Sequence, residues 1–342
     1  MTRIKHGWVV GFAIFVVCAL QEKGFAQEER IALYAGVVSM KDSLGNHRLS
    51  GAGVYVSDLD TANWQPASWK QLPVRALATF KDEEESPFLL LGTDDGILRP
   101  FKNSSGWKIL TDWRVRDVLD LAVDPFQPES IYAATGLGVF ISNDSGATWA
   151  MANRGLKETF VSCLLPDSLF PGRLLVGTES GLYESTDYGR SWKSLTLEGI
   201  AIRAILRQAN APRVYWVGTE YHGLLASQDG GHVFTPVPLG EDSLSIYSLA
   251  GGAVGEPLVA GSFERGIFMA DTDTLGWRHL EGSEQFGTVF SIAMFESGQR
   301  MYFGTHGNGV WRTTDGGANW EAFGLPGAEV RKLLPAVIAR QP

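Results

Sequence analysis

The chain has 342 residues, with 40 glycines, 11 tryptophans and a formal charge of −9. This length allows two domains, and the many glycines and aromatic residues are typical of an all-β chain with short strands and many turns. An acidic chain binds nucleic-acid phosphates poorly, so DNA and RNA are excluded as the main partner.

The first 26 residues have the pattern of a secretory signal peptide. Arg3 and Lys5 precede the uncharged apolar run Gly7–Leu20, and Gly24-Phe25-Ala26 offers small residues at the positions that a signal peptidase reads. The run is short for a helix that crosses a bilayer, so we predict cleavage and no membrane span afterwards; an uncleaved anchor is the alternative. Residues 27–342 are then predicted to be periplasmic or secreted.

Cleavage also changes the charge and the cysteine content. The segment removes three cations and one anion, so the mature charge becomes −11, which opposes adsorption to anionic lipid. Cys18 leaves with the segment and Cys163 remains alone, so no internal disulfide is possible. The apolar run Phe160–Leu165 around Cys163 predicts a buried, unreactive thiol.

The mature chain is built from seven repeats. An aromatic residue recurs every 42 or 43 residues, at Trp64, Trp107, Trp149, Trp192, Phe234, Trp277 and Trp320. A glycine stands 11 residues before each of them, at Gly53, Gly96, Gly138, Gly181, Gly223, Gly266 and Gly309. Glycine makes up about 7% of average sequences, so this register is not a coincidence. The period fits one four-stranded propeller blade.

Strands can be placed within each repeat. An apolar innermost strand, such as Leu119–Val123, is followed by a second strand that ends in Gly-Thr or a similar pair, as at Gly92-Thr93. The mature chain begins at a second strand, Ile31–Ala35, and ends with an extra first strand, Val330–Val337. The two ends therefore predict a composite blade that closes a single all-β domain, a seven-bladed β-propeller.

Four repeats carry the pattern Ser/Thr-x-Asp-x-Gly-x-x-aromatic, at Ser142–Trp149, Ser185–Trp192, Ser227–Phe234 and Thr313–Trp320. This pattern is the Asp-box, and the mature chain resembles the sialidase-type (BNR) repeat propellers over nearly its whole length. In such a turn the aspartate accepts backbone hydrogen bonds, glycine takes a positive φ and the aromatic ring packs back on the sheet. The predicted structural residues are Asp144, Asp187, Asp229 and Asp315, with Trp149, Trp192, Phe234 and Trp320. Calcium binding is the alternative role for the aspartates.

Three arginines are candidate ligand-binding residues. Arg75, Arg203 and Arg331 each stand second in an innermost strand. In the same register the other blades have Leu119, Ser162, Tyr247 and Phe290. Arginines that converge at the channel mouth suit a carboxylate or an acidic partner. The alternative is structural ion pairing with interblade carboxylates such as Asp112 or Glu158.

Other candidates lie on the same face, which carries the turns between second and third strands and the links between blades. Arg114 lies in a link, whereas His222, Arg265 and His306 lie in turns. The first blade has a longer turn, Ser39–Ser50, and long loops on rigid scaffolds often carry specificity. A simple surface loop explains it equally well.

The sequence offers little support for catalysis. The histidines show no paired metal-ligand spacing, and no phosphate-binding loop, Ser-His-Asp order or Cys-His pair is present in the sequence. No metal or other cofactor is therefore expected. Sialidases are six-bladed, and their Phe/Tyr-Arg-Ile/Leu-Pro motif is absent; the nearest string, Ile97-Leu98-Arg99-Pro100, lies inside a repeat strand.

A glycoside hydrolase acting on extracellular glycans is nevertheless the alternative prediction. Xyloglucanase-type glycosidases use two seven-bladed Asp-box propellers that face each other, and this sequence contains one. A glycosidase needs two carboxyl groups at a fixed separation. The turns offer Asp94, Asp95, Glu179, Glu220 and Glu264 without singling out a pair, so no catalytic residue is assigned.

The closer resemblance is to exported, single-domain, seven-bladed Asp-box propellers, including the photosystem II assembly and stability factor family. The shared features are the size, the signal segment, the Gly-Thr-x-x-Gly turns and the arginines near one face. Members of that family assist assembly by binding other proteins, and the similar sortilin-type propellers bind peptides. The resemblance implies a monomeric, non-catalytic scaffold that binds a protein or peptide partner, with a glycan as a further option.

Overall fold

The computed structural model describes residues 31–41, 45–68, 71–81, 87–101, 106–241, 243–253, 255–270 and 276–337. These residues form seven antiparallel sheets arranged as the blades of a propeller, and no α-helix occurs among them. The predicted fold class is confirmed. The predicted signal segment, residues 1–26, lies outside the described residues. Within them, no helix has the length and apolar character needed to cross a membrane.

We number the blades 1 to 7, with the composite blade first. The innermost strands of blades 1 to 7 are Ala328–Val337, Val74–Lys81, Val118–Val123, Val161–Pro166, Ile202–Arg207, Ile246–Gly251 and Val289–Phe295. The second strands are Ile31–Lys41, Pro87–Thr93, Ile131–Thr135, Leu174–Thr178, Tyr215–Thr219, Leu258–Ser262 and Arg300–Thr305. The third strands are Gly53–Ser57, Gly96–Pro100, Gly138–Ser142, Gly181–Ser185, Leu224–Ser227, Ile267–Ala270 and Val310–Thr313.

The outermost strands are short, at Gln65–Pro66, Trp107–Ile109, Ala150–Met151, Lys193–Ser194, Thr235–Val237, Trp277–His279 and Glu321–Ala322. A two-residue strand, His47–Arg48, pairs with the end of Ile31–Lys41. Short 3-10 helices lie at Leu49–Gly51, Ser283–Phe286 and Glu296–Gly298. Edge strands of two or three residues expose few unpaired backbone groups, which limits edge-to-edge association.

Blade 1 closes the ring as the sequence predicted. The second strand, Ile31–Lys41, pairs with Ala328–Val337 on one side and with Gly53–Ser57 on the other. The pairing with the C-terminal strand runs from Ile31 opposite Val337 to Met40 opposite Ala328. Both ends of the described chain are therefore held by the same sheet, and the ring has no open radial edge.

The core lies between blades. One buried cluster joins Tyr132 and Ile141 of blade 3 to Val161 and Leu174 of blade 4. The second-strand glycines permit this packing, because a Cβ on them would stand 2.6–3.0 Å from the first strand of the next blade. They are Gly36, Gly92, Gly177, Gly218, Gly261 and Gly304. The glycine of each Gly-Thr pair is thus required by the neighbouring blade.

The aspartates of the four patterned turns bind their own turns. The carboxylate of Asp144 accepts hydrogen bonds from the Ser142 hydroxyl at 2.8 Å and from the backbone N–H and hydroxyl of Thr148 at 2.8 and 2.6 Å. Asp187, Asp229 and Asp315 make equivalent contacts. The backbone N–H of Val233 leads the contacts that lower the pKa of Asp229 to about 2. These contacts are those expected of turn-stabilising residues.

The aromatic residues after these turns pack towards the preceding blade. The Trp192 indole N–H donates to the Ala152 carbonyl at 2.7 Å, and the Trp320 indole N–H donates to the Glu281 carbonyl at 2.9 Å. Phe234 packs against a cluster containing blade 4 residues. The Trp149 indole nitrogen is buried and has no hydrogen-bond partner among the described residues. The aromatic position of the repeat therefore joins neighbouring blades.

Candidate functional site

A β-bulge lies near the start of every innermost strand, where one residue has no partner on the second strand. The seven bulged residues are Arg75, Leu119, Ser162, Arg203, Tyr247, Phe290 and Arg331, which are the residues aligned in the sequence. Bulges redirect side chains. All seven line one cavity of about 760 Å³ at the end of the central channel. We call this set the mouth ring and the surrounding surface, with its turns and links, the mouth face.

The lining of the cavity is partly apolar, and it also contains an ion pair between two blades. Leu164, Leu249 and Ile292 are among the aliphatic residues that line it. The Lys332 ammonium lies 3.5 Å from the Asp120 carboxylate, and the Leu164 backbone N–H donates to the same carboxylate at 3.1 Å. Since Lys332 belongs to blade 1 and Asp120 to blade 3, this pair links blades that are not neighbours. Sequence reasoning did not identify it.

Each arginine of the mouth ring is ion-paired. Arg75 Nε lies 2.7 Å from Asp94 Oδ1, and Arg331 Nε lies 2.6 Å from Glu329 Oε1. Arg203 bonds Glu179 at 2.7 Å and also Glu220. The four partners come from turns or from the same strand.

The prediction that Asp112 or Glu158 pairs with these arginines was therefore wrong. Asp112 pairs with Arg114 two residues away at 2.6 Å. Glu158 accepts hydrogen bonds from the backbone N–H groups of Thr159 and Phe160. Both carboxylates bind groups in their own links, because these contacts are close in sequence and need no crossing between blades.

The three arginines differ in which guanidinium N–H groups remain free to bind a ligand. The Arg203 side chain is only 14% exposed and bridges the turns of blades 4 and 5. Its burial works to lower its pKa, but the contacts with Glu179 and Glu220 outweigh burial and raise it. Arg331 uses Nε alone, and its guanidinium lies 3.7 Å from the centre of the Phe290 ring. Among the described residues, no partner contacts Nη1 of Arg75 or the terminal nitrogens of Arg331.

Of the other candidates, only His306 lines the cavity. Arg114 is exposed beside Asp112, and Arg265 lies 3.5 Å from Glu241 at the edge of the mouth face. His222 lines a separate groove of about 440 Å³. The structure brings Arg75, Arg203 and Arg331 to one cavity together with His306, whereas Arg114, His222 and Arg265 lie outside it.

The Ser39–Ser50 segment folds back beside the mouth. Its first part extends the second strand of blade 1 to Lys41, and residues 42–44 lie outside the described residues. The Ser39 hydroxyl lies 2.8 Å from His47 Nδ1 and donates to Glu329 at 3.3 Å. The His47 and His306 rings stack with centres 5.3 Å apart. The segment is thus attached to the same carboxylate that holds Arg331.

This cluster makes stability depend on pH. Burial lowers the pKa of His306, and His47, Arg331 and Lys41 lower it further, against the opposing effect of Glu329. Burial works to raise the pKa of Glu329, but Arg331, His306 and Ser39 outweigh it and lower that pKa. A lowered histidine pKa disfavours the fold as pH falls below about 6.5. A lowered carboxyl pKa stabilises above about 4.5 and is lost as pH falls through the folded value.

We therefore expect the melting temperature to be constant above pH 7 and to fall from pH 6.5 towards pH 4. His306→Gln should remove the part of this fall between pH 6.5 and 5, leaving the carboxyl part below it. Scanning calorimetry across this pH range measures both. His232→Gln, at an exposed turn, is the matched control and should keep the wild-type profile. Identical profiles for wild type and His306→Gln would contradict the assignment.

Exposed aromatic side chains surround the cavity on the mouth face. Trp113 is 81% exposed, Tyr221 67% and Phe263 47%. Trp113 lies in the link between blades 2 and 3, whereas Tyr221 and Phe263 lie in turns of blades 5 and 6. Exposed rings around a concave site are typical of binding surfaces. The sequence did not predict which rings of this face stay exposed.

Cys163 lies behind the mouth, facing the interface with blade 5. Its side chain is buried, and burial raises the pKa of the thiol to about 12. The expectation of a buried thiol is confirmed. A thiol that stays protonated at neutral pH is a poor nucleophile.

No protein-family model matches the chain. Part of it is 28% identical to a xyloglucanase of Paenibacillus sp., over 39% of this chain and 16% of that protein. Among solved structures it is similar to the GH74 xyloglucanase of Xanthomonas campestris, with a TM-score of 0.59 and 20% identity over 72% of this chain and 45% of that one. It is also similar to YCF48 bound to D1 peptide, with a TM-score of 0.56 and 13% identity over 79% of this chain and 95% of that one. The chain spans less than half the length of these xyloglucanases, and likeness at such identities shows the propeller fold alone.

Proposed function

We propose that this chain is an exported, non-catalytic propeller that binds a protein or peptide partner at the mouth face. The observation that carries the proposal is the mouth ring, whose seven bulged residues line one cavity. Arg75 and Arg331 present unused N–H donors there, and exposed aromatic rings surround the opening. Donors and rings of this kind recognise chain segments through hydrogen bonds and apolar contact.

The carboxylates of the mouth support binding over catalysis. Glu179, Glu220, Asp94 and Glu329 are each paired with a mouth-ring arginine. A glycosidase needs one carboxyl group that carries a proton to the leaving group. Because a guanidinium already occupies each of these four carboxylates, they suit positioning roles.

The comparisons and the sequence add support. YCF48, of similar fold, has been solved bound to D1 peptide. The predicted signal segment supports export, and the acidic charge argues against nucleic acid as a partner. A closed ring with short outer edges supports a monomer.

The test is capture of partners from the host by the mature protein, followed by mass spectrometry. We expect Arg75→Ala and Arg331→Ala each to weaken capture of the identified partner at least tenfold, because each removes a charged donor worth about 1.5–3 kcal/mol. Arg331→Ala should also lower the melting temperature, because it leaves the buried Glu329 carboxylate without its guanidinium, whereas Arg75→Ala should change it little. Arg154→Ala, which changes an exposed arginine in the link between blades 3 and 4 that does not line the cavity, should leave capture unchanged. Unchanged capture with a large loss of stability would instead show purely structural arginines.

Arg203→Ala is expected to act differently from the Arg75 and Arg331 substitutions. Its guanidinium bridges two blades, so we expect a loss of stability rather than a selective loss of binding. Partner affinity measured on the folded fraction distinguishes the two effects.

A glycoside hydrolase is the second candidate, favoured by the likeness to xyloglucanases. Glu264 lines the cavity and has no ion-pair partner among the described residues, so it is the carboxyl group most available for chemistry. Hydrolysis of xyloglucan, other β-glucans or aryl glycosides that is abolished by Glu264→Gln would overturn the binding proposal. No hydrolysis across this panel would support it.

A further inference from the structure

We infer that the part of the mouth face over blades 5 and 6 docks a peptide segment carrying lysine or arginine side chains. This inference rests on the proposed function and names the chemistry of the partner. We call this part the acidic aromatic sector. It comprises the turns Glu220–Gly223 and Phe263–Gly266, the link residue Glu241, and Tyr247 of the mouth ring.

The aromatic rings of this sector form a row that leads into the channel. The Phe263 and Tyr247 ring centres lie 6.0 Å apart, and those of Tyr247 and Phe290 lie 5.7 Å apart. Tyr221 stands at the tip of the neighbouring turn and is the most exposed ring of the sector. Tyr221 and Phe263 are 67% and 47% exposed, so these two rings are accessible to a ligand.

The backbone holds these rings in place. The Tyr221 backbone N–H donates to the Ser245 hydroxyl at 3.1 Å, and the Phe263 backbone N–H donates to the Ser245 carbonyl at 2.8 Å. Tyr221 and Glu264 have positive φ angles of 66° and 56°, which are uncommon outside glycine. Both turns are thus anchored to one residue, Ser245, and present preorganised side chains, which lowers the entropy cost of binding.

Two concave surfaces adjoin the sector. The groove of about 440 Å³ is lined by Tyr221, Pro236, Pro238, Leu239 and Glu241. The mouth cavity is lined by Phe263, Glu264 and Tyr247. Tyr221 of the groove and Phe263 of the cavity lie in turns that both bind Ser245, so the two surfaces are adjacent and one extended peptide can contact both.

The net charge of the sector indicates which kind of peptide segment binds there. Among the described residues of the sector and its ion-pair partners, four carboxylates face two guanidiniums. The carboxylates are Glu179, Glu220, Glu241 and Glu264, and the guanidiniums are those of Arg203 and Arg265. Two negative charges therefore remain, and Glu264 has no ion-pair partner among the described residues. The opposite side of the mouth carries the unused donors of Arg75 and Arg331.

A lysine or arginine side chain fits both the aromatic rings and the negative charge of the sector. Its cation is attracted to aromatic faces and to the Glu264 carboxylate, and its aliphatic stem can lie along a ring. An acidic segment would meet uncompensated negative charge at this place. The unequal sides of the mouth also set the direction of a bound chain, with basic residues over blades 5 and 6 and any anionic group near Arg331.

Synthetic decapeptides test this inference directly. The probes alternate glycine with lysine, with glutamate or with serine, and fluorescence anisotropy measures their affinity for the full mature chain. We expect the lysine peptide to bind at least tenfold more tightly than the other two. Raising the salt concentration should weaken binding, and Glu264→Gln or Phe263→Ala should each weaken it severalfold. Both substitutions affect exposed groups, and the melting temperature verifies folding.

Two controls separate this site from a general attraction to an acidic protein. Glu129→Gln removes an exposed carboxylate on the opposite face, and Phe126→Ala removes an exposed ring on that same face. Neither should change affinity for the lysine peptide. Equal losses in Glu129→Gln and Glu264→Gln, or equal affinity for lysine and glutamate peptides, would overturn the inference. A captured partner that binds through an acidic segment and depends on Arg75 and Arg331 would leave the proposed function standing while this inference fails.

Discussion

Replacing Arg173 with alanine is expected to lower the free energy of unfolding by about 3–5 kcal/mol. The Arg173 side chain is 12% exposed and lies between blades 4 and 5, at the end of the ring opposite the mouth. Its guanidinium binds Glu184 at 2.6 Å, the Tyr215 hydroxyl at 2.5 Å and the Gly230 carbonyl at 2.5 Å. Removing the cation leaves buried acceptors without a donor.

The same network contains Asp167, whose side chain is almost completely buried. Asp167 lies 3.5 Å from Arg173 and 3.3 Å from Arg207, and it accepts the Tyr215 hydroxyl proton in a short hydrogen bond. Burial raises the pKa of Tyr215, and the hydrogen bond to Asp167 raises it further. Without Arg173, Arg207 is the one cation among the described residues that still pairs with Asp167.

Urea unfolding followed by circular dichroism measures the effect, provided that the slope with denaturant is unchanged. Arg265→Ala is the control, because Arg265 makes an exposed ion pair that is worth at most about 1 kcal/mol. If both substitutions cost the same, the Arg173 network does not stabilise the interface between blades 4 and 5.

Gly218→Ala is expected to cost about 1–3 kcal/mol, because it overpacks the interface between blades 5 and 6. An added Cβ would lie 2.6 Å from the Ile246 carbonyl oxygen and 2.9 Å from its Cγ2 atom. The carbonyl belongs to the backbone of the next innermost strand, so relief requires the blades to move apart.

Gly136→Ala is the matched control for Gly218→Ala. Its added Cβ would have no neighbour closer than 3.8 Å, and its backbone is not in the left-handed region. Thermal unfolding of both variants should show a clear decrease in melting temperature for Gly218→Ala alone. Equal decreases would mean that loss of glycine, rather than contact with the next blade, is responsible.

The sequence predicted the fold well because its constraints repeat. Each blade needs a small residue where the next blade packs, a turn residue 11 positions before the aromatic residue, and an aromatic residue that reaches the preceding blade. Blade 3 shows the tolerance of the rule, since Ala134 takes the position of the second-strand glycine. The extent of the Ser39–Ser50 segment was less predictable, because its contacts with Glu329 and His306 join distant parts of the chain.

The candidate site was predictable only in part. Alignment brought the seven mouth-ring residues into one register, and the structure places them at one cavity because each is the bulged residue of its strand. The carboxylate partners were not predictable. Arg203 pairs with Glu179 and Glu220, which lie 24 and 17 residues away in the turns of two blades. Such pairs depend on how neighbouring blades stand side by side.

The sequence by itself determined the seven repeats, the composite blade and the positions of the mouth ring, because these follow from local turn chemistry and a fixed period. Only the tertiary structure decided which charges pair, which rings stay exposed and which side of the mouth is acidic. Lys332 meets Asp120 across blades that are not neighbours, and His47 meets His306 after the chain has travelled around the ring. These groups meet only because the ring closes, so the spacing of residues along the chain does not predict the contacts.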